Sequence, residues 1–318
     1  MSRFLLMGGL GNQLFQLAAG LSYCDKTTIL VDNLGNPRRS KSGQPEIASF
    51  TLPESVKIES ANQSTYIARK YINFGIRLGA RTPARNITIT LYEKLVSVTS
   101  ILYSKKYFGV NLSAGTGNDP KFKVSQRRIN IGYFQSQDYC ETDIVFKKMM
   151  NLRIAKPSRQ FLALQEIVKK EKPIVVHIRL GDYLTEESFG VPSITYYRQG
   201  IEFLIGSRPK TAIWLFSNDP DEAIKKIPES YLDRVFLVPP DGLSSAETLE
   251  LMRNGCAYVI ANSTFSWWGA MLSYSTDSEV VIPTPWFKSS IAPNTIYPKS
   301  WTKISADYEN FEAKAWSN

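Results

Sequence analysis

The segment "PIVVHIRLGDY" (173–183) brings an imidazole, a guanidinium and a carboxylate close together: His177, the chain's only histidine, Arg179 and Asp182. Groups of these types bind phosphate, pass protons or hold metals. An apolar run of this kind reads as a buried parallel strand whose alternate side chains share a face. Val175, His177 and Arg179 then point one way, and Val176, Ile178 and Leu180 the other. Gly181 ends the strand and leaves Asp182 and Tyr183 in the loop beyond, at the edge where parallel sheets receive ligands. A guanidinium there suits paired hydrogen bonds to phosphate, the alternative being a salt bridge to Asp182. For His177 a metal role lacks partners, since there is no second histidine and no cysteine cluster. A general-base role is open to an imidazole. A positioning or nucleotide-contacting role beside Arg179 is the favoured reading.

Three further stretches carry chemistry. "YVIANSTFSWWGAMLSYS" (258–275) reads as a strand, a polar turn and a helix start. Asn262, Ser263, Thr264 and Ser266 put side-chain oxygens and backbone N–H groups where the helix dipole favours an anion. One of them must cap the helix in any case, and four exceed what capping needs. "WLFSNDPDEA" (214–223) contains Asp219-Pro220-Asp221, which can be a metal-binding DxD. Asp219 as N-cap, Pro220 at N1 and Asp221 with Glu222 in the first turn is the preferred reading. "GGLGNQLF" (8–15) resembles a dinucleotide fingerprint, with Asp32 lying 21 residues after Gly11 as a ribose-binding acid would. Leu14 stands where the third glycine belongs. The polar pair Asn12-Gln13 falls at the helix N-terminus, to meet a ligand or to cap.

These residues need a frame, and the periodicity supplies one. "RFLLMGGLGNQLFQLAAGLSY" (3–23) reads as strand, glycine turn and amphipathic helix, with Leu10, Leu14, Leu17, Ala18 and Leu21 on one helix face; the strand "TTILVD" (27–32) follows. From Pro157 the β-α alternation is strong. The strands "PIVVHIRL", "TAIWLFSND", "RVFLVP", "AYVIAN" and "EVVIP" are separated by helix-forming stretches, which predicts a doubly wound parallel sheet. Two α/β domains are expected, 1–155 and 156–318. The last residues, 305–318, read as a short helix. No fixed-period repeat occurs.

Composition narrows the classes. At 318 residues with 43% hydrophobic and 21% charged side chains, the chain can build a large core and is not a disordered protein. Cys24, Cys140 and Cys256 are too few and too scattered for a disulfide framework or a zinc site. No apolar run is long enough to span a membrane and the N-terminus lacks a signal-peptide pattern, so a cytosolic, thiol-reduced protein is expected. The sequons at Asn62, Asn86, Asn111 and Asn262 are then chance matches. The net charge of +9 is concentrated between Thr65 and Arg159, where 17 Lys and Arg face 5 Asp and Glu. Such a stretch suits an anionic partner or is a solvated face. Within it, Arg69, Lys70, Arg77 and Arg81 alternate with Tyr66, Ile67, Tyr71, Phe74 and Leu78 in a basic amphipathic pattern that suits a membrane surface or packing on its own domain.

Taken in order, "GGLGNQLFQ" (8–16), "HIRLGDY" (177–183), "FSND" (216–219) and "NSTFSWWGA" (262–270) resemble the bacterial α-1,2-fucosyltransferase family, related to the protein O-fucosyltransferases. The resemblance implies two Rossmann-like domains facing across a cleft in a GT-B-like fold. It implies inverting transfer of L-fucose from GDP-fucose to the 2-hydroxyl of a galactose in a glycan, with no cofactor and no metal ion. It assigns the donor to the C-terminal half and the acceptor to the N-terminal half. Arg179 would contact the donor's phosphates, and Ser263, Thr264 and Phe265 would line the nucleotide site. Asn12 would face the reacting centre. Gly9, Gly11, Gln13, His177, Asn218, Asp219, Asn262 and Ser266 complete the expected donor contacts, and Asp182 is the carboxylate available as a base. Two other classes compete: an NAD-dependent oxidoreductase built on "GGLGNQ" and Asp32, and a non-enzymatic protein whose basic stretch binds RNA or lipid. Nucleic acid is not an expected partner of a transferase. Peripheral contact of the basic stretch with an anionic membrane or a lipid-linked glycan is compatible with one.

Overall fold

The computed structural model describes residues 1–23, 27–33, 36, 38–60, 87–103, 109–113, 117, 122–181, 183, 189–288 and 294–308. Asp182, Cys24, the sequons at Asn62 and Asn86, the basic amphipathic pattern of 65–81 and the C-terminal end from 309 lie outside them. Contacts divide the chain into two units. The first comprises Met1–Pro157, Ser244–Ala246 and Ile291–Pro298; the second comprises Ser158–Leu243, Glu247–Ser290 and Lys299–Asn318.

In the first unit, strand β1 (Ser2–Leu5) runs through a glycine turn into helix α1 (Leu10–Tyr23) and returns as β2 (Thr28–Asp32). There follow β3 (Phe50–Thr51), β4 (Val56–Ser60), α2 (Ile87–Tyr103), β5 (Val110–Leu112), β6 (Ile129–Ile131), α3 (Asp143–Met150) and β7 (Arg153–Ile154). The main sheet has the order β4-β2-β1-β6-β5, with every pairing parallel. The residues spaced to form one face of α1, Leu10 through Leu21, are all buried. Phe15 and Ala19 are buried too, so the helix is enclosed on more sides than its pattern suggested. Leu5, Ile29, Val31, Ile129 and Ile131 form one cluster with Val96 of α2, so this face of the sheet lies under that helix.

The second unit alternates as far as β12: α4 (Arg159–Glu171), β8 (Ile174–Ile178), α5 (Ile194–Ser207), β9 (Ile213–Ser217), α6 (Pro220–Ala223), β10 (Val235–Leu237), α7 (Ser245–Met252, whose first two residues fall in the first unit), β11 (Ala257–Val259), α8 (Thr264–Met271) and β12 (Glu279–Thr284), followed by β13 (Thr302–Ser305). The sheet order is β10-β9-β8-β11-β12-β13, all parallel. Counted from β8, that is 3-2-1-4-5-6, the doubly wound nucleotide-binding order. Ser305, the first residue of the helix expected over 305–318, ends the sixth strand; 306–308 are not helical, and 309–318 lie outside the described residues. β13 is a short edge strand whose alternate residues Lys303 and Ser305 are exposed, and so few residues carry little periodic signal. Ile174, Val176 and Ile178 of β8 pack with Tyr196, Tyr197, Ile201 and Leu204 of α5. Burying each such aliphatic side chain stabilises the unit by about 1.5–3 kcal/mol. The opposite face of β8 carries Val175 and His177.

Candidate active site

In the second sheet the chain leaves β8 toward β9 on one side and leaves β11 toward β12 on the other. The point of divergence, at the carboxyl ends of β8 and β11, is where doubly wound sheets open a ligand crevice. "HIRLGDY" and "NSTFSWWGA" lie at those two ends. Beyond β8, Arg179 is half-buried with its guanidinium carbon 5.8 Å from the ring centre of Tyr183. The next turn is fixed from β9: the N–H of Leu180 donates to Oδ1 of Asn218 at 2.9 Å. Gly181 follows at φ +66°, and a Cβ there would stand 2.7 Å from Asn218 Nδ2. Asn218 of "FSND" therefore first shapes the loop that carries Arg179, and only its exposed remainder is left to face a donor.

His177 is only 5% exposed, and its ring centre is 6.0 Å from that of Phe265. Burial, followed by the positive charge of Arg179, pushes its pKa down to about 3. A buried imidazole held neutral in this way is a poor general base, which favours the positioning role over the base role. Its Nδ1 is buried without a hydrogen-bond partner.

At the end of β11 the hydroxyl-rich turn is partly committed to structure. Ser263 caps α8, its Oγ accepting from the N–H of Phe265 at 3.4 Å. The Ser266 hydroxyl donates to the Ser263 carbonyl at 3.3 Å. Asn262 is buried, its Nδ2 donating to the carbonyls of Phe189 and Gly190 at 3.0 and 3.1 Å, while its Oδ1 has no partner. The Asn262 carbonyl accepts the Tyr183 hydroxyl at 3.3 Å, which ties the two motifs together. Thr264 and Phe265 are both half-buried in the first turn of α8. From α5, the Tyr196 hydroxyl donates to the carbonyls of Ile260 and Val281, at 2.6 and 3.2 Å, and anchors this edge. Asp219 is a cap: its Oδ1 accepts from the N–H of Glu222 at 3.2 Å with Pro220 at the first helical position. The DxD is a helix start.

The first sheet has its own divergence point, between β1 and β6. Gly8 there adopts φ +70° against the Asn12 side chain, Gly9 completes the turn, and Gly11 is already in the first turn of α1. What the structure adds is closure. The N–H of Leu10, at the N-terminus of α1, donates to Glu46 Oε2 at 2.6 Å, and Glu46 Oε1 accepts the Ser245 hydroxyl at 2.6 Å. A side-chain carboxylate thus already occupies the place a dinucleotide's pyrophosphate would take. Asp32, the expected ribose ligand, is 5% exposed and held by Arg39 through two hydrogen bonds of 2.8 Å. Neither group that an NAD-dependent oxidoreductase would need is open.

Three buried glutamines surround this turn. Gln13, expected among the donor contacts, gives Nε2 to the Gly8 carbonyl at 3.0 Å and takes the N–H of Ile47 at 2.9 Å, so it is a strap within this unit. Gln16 accepts the N–H of Met7 at 3.0 Å and donates to the carbonyls of Met7 and Gly132. Gln135, just past β6, was missed in the sequence. It donates Nε2 to Asn12 Oδ1 at 3.0 Å, and its Oε1 is buried with no partner. An unmatched buried acceptor costs about 1–3 kcal/mol. The residue before it, Phe134, is buried at φ +53°, a left-handed conformation costing a bulky side chain about 1–3 kcal/mol. The rings of Phe4, Phe122 and Tyr139 pack around Phe134 with centres 5.6–5.9 Å away and hold it there.

Residues 116–305 match the model of glycosyl transferase family 11. An α-1,2-colitosyltransferase of Escherichia coli is 25% identical, covering 94% of this chain and 97% of that protein. The O-antigen biosynthesis glycosyltransferase WbnK of the same organism is 26% identical over 89% of this chain and 93% of its own length. Among solved structures, NodZ α-1,6-fucosyltransferase soaked with GDP-fucose aligns with a TM-score of 0.44 and 14% identity, over 86% of this chain and 93% of that one. POFUT1 in complex with GDP-fucose aligns with a TM-score of 0.43 and 13% identity, over 88% and 97%.

Proposed function

The chain belongs to glycosyl transferase family 11, and from that premise we propose that it moves L-fucose from GDP-fucose to the 2-hydroxyl of a galactose residue, with inversion and without a metal ion. The observation carrying this reading is the pairing, at the divergence point of the second sheet, of the half-buried Arg179 with the N-terminus of α8. Two adjacent groups that favour anions suit a nucleoside diphosphate. As the acceptor oxygen attacks the anomeric carbon, the bond to GDP breaks and its electron pair passes to the diphosphate. Arg179 and the first N–H groups of α8 then bind a charge that is larger in the transition state than in the donor, which is how they would accelerate the step. Asn12 is assigned to the acceptor side. The hydroxyl proton goes either to the Asp182 carboxylate or to no dedicated base within a loose ion pair, and turnover by Asp182→Asn separates the two.

A second donor has a specific observation behind it, the relative named for colitosyl transfer. Colitose lacks the 3-hydroxyl of fucose, and a site built to hydrogen-bond that hydroxyl would reject its absence strongly. The test is incubation with GDP-fucose or GDP-colitose and a panel of galactosides, with and without EDTA. The expected result is EDTA-insensitive transfer from GDP-fucose to galactose O2. Turnover of GDP-colitose alone would replace the donor, and turnover of neither would end the reading.

A further inference from the structure

An arginine loses much side-chain freedom when it is fixed on an anion, so whatever orders it beforehand favours both binding and catalysis. In the second unit the Arg179 guanidinium meets a chain of aromatic contacts. Its Cζ lies 5.8 Å from the centre of the Tyr183 ring. Tyr183 lies 5.1 Å from Phe189, with the ring planes 33° apart, and Phe189 lies 5.6 Å from Phe287 at 35°. Phe287, just past β12, is 5% exposed and forms the buried end. The backbone of Phe189 is pinned beside it, its carbonyl accepting the N–H of Lys288 at 3.1 Å and Asn262 Nδ2 at 3.0 Å. Tyr183 has a second hold, since its hydroxyl donates to the Asn262 carbonyl at 3.3 Å, one residue before the cap of α8. One side chain therefore touches both the arginine and the turn that leads into α8.

We propose that Tyr183 is a positioning residue: its ring, backed by Phe189 and Phe287, holds Arg179 in place relative to the N-terminus of α8, ready for a nucleoside diphosphate. The role rests on the donor reading above for the presence of that anion. Tyr183 acts through Arg179 rather than on the ligand. A cation fixed in advance needs no reorganisation as charge develops on the leaving group, which is where such a brace contributes to the rate.

The test is a double-mutant cycle on the full chain, read by calorimetric titration with GDP, UDP and ADP. GDP carries the charge that develops on the departing group, so its affinity reports the hold on Arg179 in the state that matters. Tyr183→Leu is expected to weaken GDP binding about fivefold, and Tyr183→Phe, which keeps the ring, to recover most of that loss. In an Arg179→Ala chain the same Tyr183→Leu change is expected to weaken it by less than about twofold, because the side chain it acts through is gone. An equal loss in both backgrounds marks a structural or directly binding tyrosine and overturns the proposal, as does unchanged affinity in the single Tyr183→Leu variant. Phe189→Leu, one ring further from Arg179, is expected to give the same pattern with a smaller loss, and it carries the cycle if Tyr183→Leu does not fold. Wild type that binds UDP or ADP in preference to GDP would remove the donor reading, and the cycle is then decided on that nucleotide. Wild type that binds none of the three overturns both.

Discussion

Arg179, just past the end of β8, and His177 within it have opposite assignments, one to hold charge and the other to stay neutral. Arg179→Ala is expected to lower kcat/KM for GDP-fucose by more than about tenfold with an unchanged melting temperature, because the side chain is half-buried at a strand end and outside the packed core. Arg179→Lys would recover only part of the loss, since an ammonium cannot make the paired contacts. Normal turnover by the alanine variant would remove the residue from the mechanism. For His177 the consequence is in stability. Its folded-state pKa of about 3 lies below the ordinary 6.5, so the unfolded chain takes up a proton that the folded chain refuses. Stability from this source is therefore intact above pH 6.5 and declines as the pH falls toward 3. No other histidine is present to blur the upper part of that window. Denaturant titrations between neutral pH and about pH 5 should give a slope in wild type that His177→Phe lacks, and identical slopes would refute the assignment.

At the level of elements, the loop after β8 is held by a side chain from the next strand. Gly181→Ala forces a Cβ into a left-handed residue 2.7 Å from Asn218 Nδ2, which should cost about 1–2 kcal/mol and shift Arg179. Chemical denaturation measures the first effect and the KM for GDP-fucose the second; a variant with wild-type values in both would show that the turn is not under this constraint. What the sequence made legible here was local. The period-2 run of β8, the stripe on α1 and the Asp219-Pro220 helix start are patterns within a few residues of one another; the helix start appears as read, the strand stops at Ile178, short of Arg179, and the stripe is buried together with Phe15 and Ala19 outside it. The two divergence points follow from β-α alternation once the strand order is known. The unread features depend on distance along the chain. Glu46 meets Leu10 across 36 positions and Gln135 meets Asn12 across 123, and nothing near either residue marks the encounter. A left-handed phenylalanine has no sequence signature, because glycine is the residue that signals such a conformation. In the same way Gln13 and Asn218, polar and next to motifs, could not be told from ligand contacts until their hydrogen bonds were seen to close on the protein.

For the whole molecule, the charge is uneven and its reach depends on salt. The net +9 is concentrated between Thr65 and Arg159, and among the described residues no helix is long and apolar enough to cross a membrane. Attraction of that stretch to anionic lipid is proposed as a purely peripheral contact. Sedimentation with anionic vesicles at low ionic strength should be lost as the Debye length shrinks below about 10 Å, and a chain that never sediments would dismiss the contact. The two sheets repeat one design, a parallel sheet with a glycine or hydroxyl turn at its divergence point, so a molecule of this kind invites the expectation of two nucleotide sites. Glu46 breaks that symmetry. By keeping a carboxylate of its own on the N-terminus of α1, the chain withholds that helix end from a phosphate, so one nucleotide site rather than a pair is the expectation. Calorimetric titration with GDP should saturate at a single equivalent, and a Glu46→Gln chain is the variant in which a second, weaker equivalent would first be seen.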